Sequence, residues 1–285
     1  MLRFLIILFL HLTFLICHLS LAIPAPPQRI VSAIPSATEI LFAIGAESQV
    51  IGVTLNCNYP PEAKKKEKVG GFDINLEKVA SLKPDLVVMH SGAQAKDIEK
   101  LKKYGLPVYT MEPKTVDQVV SAIKRLGFAI GRADSAEAVA QSLQDRLAMV
   151  RTRFKPGLLS ALRFWEKRPT RRQKALVIIG LKPLVVAGQN TFIDDILKSA
   201  CVDNAAEATM GEFPQYSFEK LVSDDPDNLI ITEGLINRKE LVNDKQWQSL
   251  KAVRGNKIMF INPDIISRPG PRVVDAVEQI AEFAY

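Results

Sequence analysis

NLEKVASLKPDLVVM, residues 75–89, decides the fold once it is laid over SFEKLVSDDPDNLII, residues 217–231. At a single offset of 142 residues Glu77 matches Glu219, Lys78 matches Lys220, Pro84 matches Pro226 and Asp85 matches Asp227. Each stretch opens on a polar residue suited to capping a helix, ends that helix in a Pro-Asp turn and runs into an apolar strand. These identities fall without a gap inside matching patterns, which marks two related units in one chain.

Working outward, the same alternation of short apolar runs and helical patterns continues, the signature of a parallel α/β sheet. In the first unit RIVSAI (29–34), VIGV (50–53), DLVVM (85–89) and LPVYT (106–110) read as strands. Between them, Ser36 and Glu39 form a capping box, Asn75 caps a helix through Leu82, and further helices cover 96–104 and 116–129. In the second unit ALVIIG (175–180), LVVAG (184–188), NLIITE (228–233) and KIMFIN (257–262) are strands, with helices near 191–200, from Ser217, through Trp247 and over 271–284. Between the units, Asp134 and Glu137 look like a cap, and Val139, Leu143, Leu147, Val150 and Phe154 then mark one face of a helix. About 20 residues at 1.5 Å each span some 30 Å, enough to cross a domain. The expected organisation is a leader at 1–22, an N-terminal α/β lobe at 23–132, a connecting helix at 133–155, a basic linker or insertion at 156–174, and a C-terminal α/β lobe at 175–285.

Residues 1–22 carry Arg3, a long apolar run and Ser20-Leu21-Ala22, the small-residue pattern of a signal-peptidase site. Phe4–Leu15 is about 12 residues, short of the roughly 20 a spanning helix needs. Ile16 before Cys17 argues against lipidation. The expectation is a cleaved leader and a periplasmic protein. Cleavage removes His11 and His18, so His90 becomes the sole histidine and a multi-histidine metal site is excluded. Cys57 and Cys201 remain; a bond between them would join different lobes, and two separate buried thiols are the simpler reading. The formal net charge of +6 is thinly spread except over Arg163–Lys174, and no basic stripe interleaved with aromatics appears, so no nucleic-acid partner is expected.

No Gly-rich phosphate loop, HExxH, GxSxG or second histidine supplies catalytic machinery, so an enzyme is not expected. In open parallel sheets ligands sit beyond the carboxyl ends of the strands. Loop aromatics Tyr59, Phe72, Phe213 and Tyr216 fall there, suiting a large, flat cargo, and Asp264, Arg268 and Arg272 add polar groups on the same edge. Arg272 alone reads as a surface residue of the final helix. His90 follows a strand and reads either as a polar cleft wall or as an axial ligand to cobalt or haem iron.

RIVSAIPSATEILFAIGAESQVIGVTLNCNYPPEAKKKEKVGGF (29–72), NLEKVASLKPDLVVM and the closing SRPGPR (267–272) resemble the periplasmic cobalamin-binding proteins of ABC importers and their iron–siderophore and haem-binding relatives. The resemblance covers nearly the whole mature chain except 155–174. It implies two parallel-sheet α/β lobes joined by a single long helix, the class III periplasmic binding protein architecture, with little closure on binding. It implies a monomer that carries a cobalt corrinoid, or else an iron–siderophore or haem, to an inner-membrane permease dimer, and no resident cofactor. It places Tyr59, Phe72, Phe213, Asp264 and Arg268 in the corrinoid pocket, and Glu77 and Glu219 as the carboxylates that dock into permease arginine pockets. The departures are Phe72, Phe213 and His90, which stand where cobalamin binders carry tryptophan. Cys201 matches a cysteine that is bridged in relatives; with no partner near the C-terminus here, it is expected to be free.

Overall fold

The computed structural model describes residues 25–155, 171–206 and 210–285. The expected leader and most of the basic segment lie outside the described residues.

Each repeated unit builds one sheet. In the first, β1 (Ile30–Ser32), β2 (Val50–Val53), β3 (Glu67–Lys68), β4 (Leu86–His90) and β5 (Val108–Met111) lie in the order β3-β2-β1-β4-β5, all pairs parallel. In the second, β6 (Lys174–Leu181), β7 (Leu184–Val186), β9 (Asn228–Thr232) and β10 (Ile258–Ile261) lie in the order β10-β9-β6-β7, and β8 (Asp203–Asn204) pairs with the start of β6. The pair β6–β7 is antiparallel, unlike the rest. Only Lys182 and Pro183 join these strands, and so short a link reverses the chain but cannot carry a parallel crossover.

The strands read as continuous apolar runs because both faces are covered. Successive residues alternate between two cores. On β4, Val87 and Met89 enter an outer N-lobe cluster, whereas Val88 enters the central one. On β6, Leu176 and Ile178 enter an outer C-lobe cluster, whereas Ala175 and Val177 enter the central one. The central core is shared by the lobes. It is built by α1 (Pro35–Ala43), α4 (Val116–Ala129), α6 (Phe192–Ser199), α11 (Val273–Ala284) and the connecting helix α5 (Ala133–Phe154).

Helix α5 has 22 residues and buries Ala136, Ala140, Leu143, Leu147, Val150 and Phe154, a stripe at helical spacing. Gly127 lets α4 approach it: a Cβ there would lie 2.1 Å from that of Ala136. Polar ties add to the shared core. Asp195 of the C lobe accepts the Val116 amide at the start of α4 (2.7 Å), and burial raises its carboxyl above the usual range. Arg146 of α5 pairs with Asp275 and Glu278 of α11.

Two expected caps are replaced. Helix α1 starts at Pro35, with Ile34 in the N-cap position and no side-chain cap, because proline suits the first helical position; Ser36 is buried in the first turn. Helix α5 follows Arg132, again without a side-chain cap, so Asp134 lies in its first turn. The repeat, by contrast, recurs in three dimensions. Asn75 accepts the Lys78 amide (2.9 Å) at the start of α2 (Leu76–Ser81), and Ser217 accepts the Lys220 amide (3.1 Å) at the start of α7 (Phe218–Asp224). Beyond these helices Lys83 (φ 48) and Asp225 (φ 34), again 142 apart, adopt the left-handed conformation that ends a helix. Asp85 then accepts the Gln28 and Arg29 amides, both at 2.8 Å, just before β1. Asp227 accepts the Lys174 amide at 2.9 Å where β6 begins. Each repeated aspartate thus anchors a helix–strand turn to the first strand of its own sheet.

Candidate functional site

The carboxyl ends of β1, β2 and β4 meet the C-lobe segment that follows α10 (Pro263–Ser267), and a pocket of about 240 Å³ opens between them. Ile34, Pro35, Ser36, Phe72 and His90 line it from the N lobe, and Ser267, Arg268 and Pro269 from the C lobe. Phe72 is held out by a tight loop. Gly70 (φ +116) turns the chain so closely that a Cβ would lie 2.7 Å from the Asp73 carbonyl oxygen, and Phe72 stands 68% exposed.

His90 is partly buried at the end of β4. Its ring Nδ1 accepts the amides of Gly92 (3.2 Å) and Ala93 (3.1 Å). Its own amide donates to Gln94 Oε1 at 2.9 Å, and Gln94 in turn donates to the Ala33 carbonyl at 3.2 Å.

A charged belt crosses between the lobes beside this pocket. Glu39 of α1 is almost fully buried and takes the Arg272 fork on both oxygens, with Nε donating to Oε2 at 2.9 Å. Arg268 lies 3.4 Å from the same carboxylate and 2.7 Å from Asp264. It also donates to Asn58 Oδ1 (2.7 Å) and the Asn56 carbonyl (3.2 Å), while Asn58 Nδ2 donates to Asp264 Oδ2 at 3.1 Å. Two arginines and two carboxylates balance, which a mostly buried cluster requires. The Glu39 hydrogen bonds hold the Arg272 guanidinium above its ordinary pKa, against burial. Arg272 also lies 3.9 Å over the Tyr59 ring, a cation–π contact. Glu39 therefore does not close a capping box, and Arg272 is not a plain surface residue. Asn58 is the member of this belt that sequence reasoning missed; Glu39 was read as a cap, and Arg272 was placed on this edge but read as a surface residue of the final helix. The signal for Glu39 and Arg272 was a charge on the core-facing side of α1 and two arginines four residues apart.

The expected cargo residues therefore divide. Phe72, His90 and Arg268 share the pocket, and Asp264 joins it through Arg268. Tyr59 lies beyond Arg272, in a neighbouring pocket of about 430 Å³ with Phe42, Leu143 and Arg146. Phe213 is 52% exposed on the loop before α7. Tyr216 is not on the rim. Its amide pairs with the Leu184 carbonyl at 2.8 Å, and alternation along that paired segment turns the ring into the C-lobe core. There its hydroxyl donates to Asp224, and burial first, then Asp224, raises its pKa. Glu77 and Glu219 are exposed at the second positions of α2 and α7. Cys57 and Cys201 are free, buried thiols in different lobes.

Two α/β lobes, a stiff helix between them and a pocket walled by both define a two-lobed solute-binding protein. The chain belongs to the periplasmic binding protein family, whose model matches residues 30–265. It is 33% identical over 266 residues, 91% of this chain and 80% of the relative, to YvrC of Bacillus subtilis (strain 168), an uncharacterized ABC transporter substrate-binding lipoprotein. Among solved structures, the periplasmic vitamin B12 binding protein of Vibrio cholerae superposes with a TM-score of 0.75 at 26% identity, covering 92% of this chain and 98% of that one. A periplasmic heme binding protein from Pseudomonas aeruginosa gives 0.75 at 26% identity, covering 91% and 93%.

Proposed function

We propose that the chain captures a corrinoid, with cobalamin as the reference cargo, in the interlobe pocket and hands it to the permease dimer of an ABC importer. It works outside the cytoplasm as a monomer, with the carboxylates of Glu77 and Glu219 as its contacts to the permease. The observation that carries the reading is the pocket itself, with Phe72 and His90 from one lobe and Arg268 from the other on an apolar floor of Ile34 and Pro35. That surface suits a broad apolar face with polar groups at its edge. The likeness to a vitamin B12 binding protein over nearly its whole length supports it. Haem is the second reading, favoured by a histidine in the pocket and by the likeness to a heme binding protein.

Calorimetric titration of the purified protein with cyanocobalamin, haemin and a ferric hydroxamate separates the readings. Affinity at about the micromolar level or tighter for cyanocobalamin alone is the expected result. Binding of haemin or the ferric chelate with none of cyanocobalamin overturns the corrinoid assignment.

A further inference from the structure

We infer that His90 meets the cargo as a hydrogen-bond donor through Nε2–H and not as a ligand to its metal, so that the pocket reads an acceptor on the cargo's periphery. The inference rests on the pocket being the cargo site. Its first observation is the pair of backbone amides, Gly92 at 3.2 Å and Ala93 at 3.1 Å, that point at Nδ1. A nitrogen accepting N–H groups carries no hydrogen of its own. The neutral ring holds one proton, which therefore sits on Nε2.

A metal needs a lone pair on the nitrogen it binds, and protonated Nε2 has none. Coordination would require the proton to move to Nδ1, against two amide hydrogens, with both of those bonds lost. Metal-bound histidines ordinarily donate their second N–H to a carboxylate or carbonyl, the reverse of this arrangement. The nearby carboxylate of Glu112 acts on the ring only through space: it accepts the Ser91 hydroxyl at 2.5 Å, pairs with Lys114 at 3.5 Å and, among the described residues, makes no hydrogen bond to His90.

The second observation is that the loop carrying those two amides is itself anchored, which keeps them aimed at the ring. Gln94 is buried and grips the His90 amide on one side and the Ala33 carbonyl, in the N-lobe core, on the other. Among the described residues no hydrogen bond is made by Nε2, and His90 lines the pocket beside Phe72. The ring therefore offers a fixed N–H donor at the margin of an apolar floor. The matching cargo carries carbonyl or carboxylate oxygens around a broad face, as the side-chain amides of a corrinoid do and the propionates of haem also do.

The tautomer is read directly by long-range ¹⁵N–¹H correlation spectra of the ¹⁵N-labelled protein at alkaline pH, with the His90 signals assigned by their loss in His90→Gln. Expected is an unprotonated shift at Nδ1 and a protonated shift at Nε2; the opposite pattern overturns the inference whatever the cargo. Titrations with cyanocobalamin and haemin follow. His90→Ala weakens the cargo that binds by about fivefold, the equivalent of one neutral hydrogen bond, and His90→Gln, which keeps an N–H donor, restores most of it. The metal absorption bands of the complex are the same for the wild type and His90→Ala. A change in those bands on His90→Ala means coordination and overturns the inference. Failure of both probes to bind sinks the cargo reading, while the tautomer measurement still decides the state of the ring.

Discussion

The two lobes share one plan and differ where they face each other. The helix cap, the exposed glutamate, the left-handed helix end and the anchoring aspartate all recur at the offset of 142 residues. The belt across the cleft does not. Glu39 corresponds at that offset to Leu181, and Arg268 and Arg272 correspond to Leu126 and Ile130, both buried apolar residues. Repetition thus holds in the scaffold and the outer surface, and is lost where the lobes face each other across the cleft and are tied together. Glu39→Ala breaks the unrepeated part. It leaves Arg268 and Arg272, with side chains 14% and 16% exposed, without the carboxylate they share. Stability falls by about 3 kcal/mol, as when a buried pair loses one partner. The double variant Glu39→Ala/Arg272→Ala loses less than the sum of the singles. Chemical denaturation measures both, and a loss below about 1 kcal/mol for Glu39→Ala removes the belt as a tie between the lobes.

The repeated aspartates separate the lobes by a smaller margin. Asp85 holds two backbone amides, whereas Asp227 holds one amide together with Arg171 and Lys251. The Arg171 hydrogen bonds, above all, hold the Asp227 carboxyl well below the usual range, against the effect of burial. A folded value below the unfolded one contributes stability that is complete above the ordinary carboxylate range, near pH 4, and is lost as pH falls through the folded value. Asp227→Asn therefore costs about 2 kcal/mol at neutral pH, discounted for an Arg171 side chain that is 62% exposed, and Asp85→Asn costs about 1. The Asp227→Asn deficit shrinks in acid. Urea titrations at neutral and acid pH check this, and equal losses at neutral pH would show that the cations add nothing to the shared anchor.

How much was legible follows the same division. The repeat, all strands but the two-residue β3 and β8, helix α4 and the stripe along α5 were readable because their signal is local: a cap, a period, a Pro-Asp turn. The belt was not, because its partners are 229 and 233 residues apart and none is unusual in its own segment. Glu39 satisfied a local pattern, the capping box, that the tertiary contact with Arg272 overrode. Tyr216 was misplaced for a related reason. A loop aromatic reads as rim until the pairing of its backbone with β7 fixes which way the ring turns. His90 could be placed beside the pocket because the end of its strand can be located from sequence alone. The orientation of the His90 ring could not be, since it depends on two amides that only the folded loop brings to Nδ1.

The smallest effect on stability, and the most direct test of the repeat itself, belongs to Glu77 and Glu219. Both are exposed at the second position of a short capped helix, where the dipole favours a carboxylate. Removing either charge, as Glu77→Gln or Glu219→Gln, changes stability by less than about 0.5 kcal/mol. Cargo affinity is unchanged, because neither residue lines the pocket. If the helix-end charge were the whole role, nothing further would follow. If these are paired contacts to a permease built of two like subunits, each single variant lowers the stimulation of permease ATPase activity by the cargo-loaded protein, and the double variant abolishes it. Reconstituted permease in proteoliposomes measures this. Equal losses mean that the outer surface has kept the symmetry the cleft has lost. A loss confined to one lobe means that the lobes have diverged on the outside as well, and that the repeat of residues 75–89 and 217–231 serves the fold alone.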